Sequence, residues 1–227
     1  ITQSVMNYVL EPRAGEEAHD TLDKVESMID AVELVGEAVR HAFKTDGPVL
    51  QAQQVGFDVS ILIGGQICGQ RMRLFQVYSA GNYIEATPDT AFLQIGEHKY
   101  GKPILDRVLN FRTDLYDGVK LCLISMDSTL RSNISVGLPL DLLTYDADTF
   151  SVTRFVTIDE KNQYFQMIRS TWGKQLKAVF EGIADPIWNA APESPANAVS
   201  TTNAISQPMR IAPPANLVAA KGTRPVL

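Results

Sequence analysis

The sequence predicts an α+β fold in which helices and strands come in groups. Three observations carry this. Helical apolar periods lie near both ends of residues 1–184, a period-two segment at 57–63 opens a run of short strand segments reaching 95, and short turn signals join those segments. The expected order is helix, helix, four strands, two helices, two strands, helix. Grouped elements imply layers and argue against repeated βαβ units. Helices before and after the strands fit a four-layer α-β-β-α sandwich. The same pattern also allows an α+β domain with a single sheet.

Each element has its own local reason. Thr2 to Glu11 reads as a helix whose Val5 and Val9 share a face and which Pro12 stops. Arg13 to Lys24 is polar and reads as a loop. Met28, Val32, Val35, Val39 and Ala42 or Phe43 build one helical stripe, with Ser27 as its cap. Phe57, Val59, Ile61 and Ile63 alternate as in a half-buried strand. Arg71–Tyr78, Tyr83–Ala86 and Ala91–Ile95 are expected to follow as an antiparallel meander. Pro103 suits the first turn of a helix bearing Ile104, Val108 and Phe111. Thr113 or Asp114 caps the next, with Leu115, Val119, Cys122, Met126 and Leu130 on one face. Gly137–Tyr145 and Phe150–Ile158 read as strands. Phe165, Ile168, Trp172, Leu176, Val179 and Ile183 give a last helix.

Composition limits the function. The 227 residues are 45% hydrophobic, enough for a packed core, and carry a net charge of -6. That balance argues against a nucleic-acid surface, which needs clustered Lys and Arg. No window reaches the roughly 18 apolar residues of a membrane span, and no signal peptide is seen. Two Cys, Cys68 and Cys122, do not make a disulfide scaffold; they are expected as reduced core thiols of a cytoplasmic protein. Seven of the 12 Pro fall in 185–227, which is expected to be a disordered Pro/Ala-rich tail behind a single domain, 1–184.

Common catalytic motifs are missing. There is no phosphate loop, dinucleotide fingerprint, nucleophile elbow or zinc-binding His pair, and no metal or cofactor is expected. One polar segment stands out, Asp127-Ser-Thr-Leu-Arg-Ser-Asn-Ile-Ser135, between an apolar helix and a buried strand. Such a cluster suits a hydrogen-bond network that orients an amine or water. It equally suits a helix cap and turn.

This segment, with Tyr83–Thr90 and Phe92–Arg107, resembles the Anbu family, the bacterial proteasome-related peptidases also called ancestral beta subunits. The likeness runs from Ile1 to about Ile183. It implies the N-terminal-nucleophile hydrolase fold, which is the α-β-β-α sandwich. It also implies peptide-bond hydrolysis by an N-terminal Thr, Ser or Cys whose free α-amine takes the proton. Peptides or unfolded proteins would be substrates, and a homo-oligomer, ring or helical, the working form.

By the resemblance, Ile1-Thr-Gln-Ser-Val lies inside the family's first helix, after the nucleophile and its Asp and Lys partners. The N-terminal part with the nucleophile is therefore expected to be missing, and the 227 residues to be inactive. The resemblance matches the family's site acid to Asp127 and its site serine to Ser132 or Ser135, with Ser135 preferred. Gly96 matches a glycine beside the active site, on the substrate side. Glu97 departs from the family pattern, which often has a serine there. A non-catalytic assembly subunit is the alternative reading.

Overall fold

A computed structural model describes residues 1–12 and 19–187. It shows five helices and five strands among them, an α+β chain: α1 Thr2–Leu10, α2 Met28–Ala52, β1 Ser60–Gly65, β2 Arg73–Tyr78, β3 Tyr83–Glu85, α3 Lys102–Val108, α4 Leu115–Ser132, β4 Leu140–Thr144, β5 Arg154–Ile158 and α5 Gln163–Glu181. Ser27 caps α2 by accepting from the Asp30 amide, and Asp114 caps α4 by accepting from Tyr116. Most of the expected tail, and residues 13–18 of the expected first loop, lie outside the described residues.

β1, β2 and β3 form one antiparallel sheet and β4 and β5 another. Each carries helices on one face. On the first, Phe75 and Val77 of β2 pack with Val5 and Val9 of α1 and with Val32, Val35 and Val39 of α2. Ile61 and Ile63 share that face because period two puts them there. On the second, Ile158 of β5 packs with Leu123 of α4 and with Phe165 and Ile168 of α5. Leu140 and Leu142 of β4 complete this core. The end of β1 reaches the β4–β5 hairpin through a reciprocal pair: the Gln66 amide donates to Asp148 at 2.7 Å and accepts from its backbone N–H at 2.8 Å.

Three expectations change. Ala91–Ile95 pairs with no strand, since β3 has only β2 beside it among the described residues. A strand needs a ladder partner, and an apolar run alone does not supply one. Cys122 is exposed and not core, because α4 buries two faces that flank it. Cys68 is exposed as well. The α5 stripe is core only at its start: Phe165 and Ile168 are buried, whereas Leu176, Val179, Phe180 and Ile183 are exposed.

The edge of the first sheet holds a charge cluster with a pH consequence. Arg73 binds Glu85 through Nε at 2.8 Å and Nη2 at 2.6 Å, and Arg71 Nη2 adds a third contact at 2.9 Å. The bonds from Arg73 hold the Glu85 carboxyl below its ordinary value. A carboxyl with a lowered folded pKa contributes fully above its unfolded pKa of about 4.3, and loses that contribution as pH falls through the folded value. Glu85→Gln should therefore flatten the acid limb of Tm against pH below about pH 4. An unchanged acid limb would contradict this assignment.

Candidate functional site

Gly96 ends the extended segment 92–95 with φ +75°, a value that suits glycine. Nothing stands within 4 Å of the position a Cβ would take, so the turn faces open space. The chain then enters α3. The His98 ring Nδ1 lies 3.1 Å from the Gly96 carbonyl oxygen, the Lys99 amide donates to Glu97 Oε1 at 3.1 Å, and the Lys102 amide donates to the His98 carbonyl at 3.0 Å.

A second turn meets this one. Asn133 ends α4, and its amide still donates to the Thr129 carbonyl at 2.8 Å. The chain turns over 133–136, closed by Val136 N–H on the Asn133 carbonyl at 3.2 Å, and lifts Ile134 fully into solvent. The Asn133 carboxamide joins the two turns. Its Nδ2 donates to Glu97 Oε2 at 2.8 Å. Its Oδ1 accepts both the Ser135 backbone N–H at 2.8 Å and the Ser135 hydroxyl at 2.7 Å. Glu97 and Asn133 are half-buried and Ser135 is exposed.

Of the residues singled out in the sequence, the structure thus brings together Ser135 and the Gly96 turn. It does not add Asp127 or Ser132 to that set. Ser132 closes α4 on the exposed side. Asp127 is 1% exposed and both of its oxygens are engaged elsewhere. Oδ1 accepts from Arg169 Nε of α5 at 2.9 Å, and Oδ2 from Arg131 Nε one turn along α4 at 3.2 Å. This is a clamp between α4 and α5 at the edge of the second core. Beside the Gly96 turn opens a cavity lined by Gln76, Phe92, Gln94, His98, Lys102 and Asp106, and Gln94 Oε1 is buried with no hydrogen-bond partner among the described residues.

The same fold occurs in solved structures of known proteins. An Anbu (Gly-1) mutant from Hyphomicrobium sp. strain MC1 is 45% identical over 82% of this chain and 76% of its own, with TM-score 0.73. Anbu (ancestral beta-subunit) from Yersinia bercovieri is 44% identical over 82% and 76%, with TM-score 0.72. The chain belongs to the Anbu family. A third Anbu, from Pseudomonas aeruginosa and described as the helical assembly of the Anbu complex, is 41% identical over 84% of this chain and 78% of its own, with TM-score 0.75. No protein-family model and no curated protein matches.

In this Anbu chain Asn133 falls within the polar run that the sequence singled out, but its role as the joint between the two turns was not legible there. A local signal was present, since Asn-x-Ser at a helix end is a common way for an Asn oxygen to capture the amide two residues on. The bond to Glu97, 36 residues away, had none. Chemically the set is a carboxylate, a carboxamide and a hydroxyl in series. A carboxamide oxygen is not a base, so Ser135 is not activated as a nucleophile by it.

Proposed function

We propose that the chain is a subunit of a proteasome-like, self-compartmentalising threonine-type peptidase, acting on peptides or unfolded proteins in the cytoplasm as a homo-oligomer. The carrying observation is the joined pair of turns at Gly96 and Asn133 in a chain of the Anbu family. Hydrolysis would use an N-terminal Thr, Ser or Cys, and the 227 residues are read as inactive because the Ser135 hydroxyl meets a carboxamide oxygen and not a base. No metal or cofactor is required by that chemistry. Ser135 would stand at the reacting end and Gly96 beside the substrate. Asp127 would support the site through the helix clamp, and Ser132 would flank it.

The two helix-covered sheets are read as the halves of a four-layer α-β-β-α sandwich within a 1–184 domain, with 185–227 as a tail. Supporting self-association, the P. aeruginosa relative is described as a helical assembly. The exposed Leu143 and Phe155 of the second sheet and Val179 and Phe180 of α5 offer apolar surface for contacts. A non-catalytic assembly subunit is the second reading, favoured by these exposed apolar side chains.

The test is turnover. The purified 227-residue chain is incubated with a panel of fluorogenic peptides and with an electrophile directed at N-terminal nucleophiles. Neither cleavage nor a mass adduct is expected. Reproducible turnover, abolished by the electrophile, would overturn the inactive reading and the assignment of the nucleophile.

A further inference from the structure

We infer that Glu97 and Asn133 are positioning residues that fix Ser135 as a hydrogen-bond acceptor for a nitrogen-borne proton. The inference rests on the proposed site but not on turnover. A hydroxyl has one proton to donate and two lone pairs that accept. The Ser135 proton is committed to Asn133 Oδ1 at 2.7 Å. What it can still offer to the open side is its acceptor capacity. The carboxamide could meet Ser135 with either its oxygen or its NH2 end, and these would impose opposite roles on the hydroxyl. Glu97 and the Ser135 backbone N–H together set the orientation. The Glu97 carboxylate accepts only, so the Asn133 NH2 turns to it at 2.8 Å and the oxygen turns to Ser135. The Ser135 backbone N–H, also on Asn133 Oδ1, favours the same orientation. Glu97 is in turn steadied by the Lys99 amide on its other oxygen.

The partner of such a site is an N–H donor: a protonated primary amine or a peptide N–H. A carboxylate or another acceptor would meet lone pair against lone pair. Glu97 therefore stands where a serine would be an ambiguous partner, since a hydroxyl can satisfy either end of the carboxamide. This gives the Glu–Asn pair at 97 and 133 a joint role that neither residue has alone.

The test uses the 15N-labelled 227-residue chain and reads the Asn133 carboxamide and Ser135 amide signals by NMR. Methylammonium is the probe, and tetramethylammonium, of the same charge but with no N–H, is the control. Methylammonium is expected to shift both signals and the control to leave them in place. Glu97→Ala should weaken the response at least about tenfold and raise the exchange rate of the Ser135 amide by a similar factor. Glu97→Gln, whose side-chain oxygen still accepts, should recover most of that protection. Ser135→Ala, at an exposed position, should abolish the response and keeps the test decisive if Glu97→Ala does not fold. Equal shifts with both cations, or a response unchanged in Glu97→Ala and Ser135→Ala, would overturn the inference. Absence of oligomers would count against the proposed function and leave this result standing.

Discussion

Gly36→Ala is expected to destabilise the protein by about 3 kcal/mol or more, among the largest effects of any single methyl group in this chain. A Cβ at Gly36 would lie 2.3 Å from the Gly81 carbonyl oxygen and 3.3 Å from its carbon. Both are backbone atoms, so no rotamer change relieves the clash. Here α2 meets the turn between β2 and β3 backbone against backbone, and Arg40 Nη1 closes the contact on the same Gly81 oxygen at 3.0 Å. Gly81 has φ +74° and faces the Gly36 oxygen at 2.4 Å from its own Cβ position. Gly81→Ala should therefore cost at least as much, with about 1 kcal/mol of it from the left-handed backbone. The two share one contact, so the double variant should lose less than the sum. Urea unfolding of the three variants measures this. A Gly36→Ala loss under about 0.5 kcal/mol would show that α2 and this turn are not in contact.

The second large effect is expected at Asp127. Asp127→Ala removes a carboxylate that two guanidinium groups share, and should cost about 2–3 kcal/mol. The value sits below that of a fully buried pair because Arg131 and Arg169 keep 58% and 39% of their side chains in solvent. Once released, they rehydrate rather than remain as stranded charges. Arg169→Ala should cost more than Arg131→Ala. Arg169 ties α5 to α4, whereas Arg131 bonds within its own helix, where an i,i+4 pair contributes only a few tenths of a kcal/mol. Asp127→Asn should fall between wild type and Asp127→Ala. If Asp127→Ala instead left unfolding unchanged, the clamp would contribute nothing to stability.

Much of the fold was legible in local pattern. The alternation through Ile61 and Ile63 and the stripe from Met28 to Ala42 each describe one element buried on one side, the case in which periodicity speaks plainly. α4 is different. It lies against α3 on one side and against α5 and β4 on another. Gly101, at the start of α3, approaches Ser125 and Thr129 so closely that a Cβ there would meet the Ser125 hydroxyl and backbone. Leu123, by contrast, faces Phe165 and Ile158. With two buried faces, one of them lined by small polar residues, the expected stripe packs at Val119 and Leu130 but leaves Cys122 between the faces and exposed. The expected strand at 91–95 failed because a strand depends on a paired neighbour, which sequence does not show.

The site was legible by halves. Ser135 and Gly96 were reached through the resemblance, and the polar run from Asp127 to Ser135 by composition. Asp127 drew attention as the only acid of that run, yet burial beside two arginines is a matter of helix packing. Asn133 and Glu97 find each other only when the end of α4 folds back on the entry to α3, and no spacing rule encodes that meeting.

Sedimentation velocity of the purified chain over a wide concentration range tests the central claim most directly. A subunit of a proteasome-like assembly should sediment as species at multiples of 25.0 kDa, growing with concentration. A single 25.0 kDa species that melts cooperatively and stays monomeric at every concentration would contradict it.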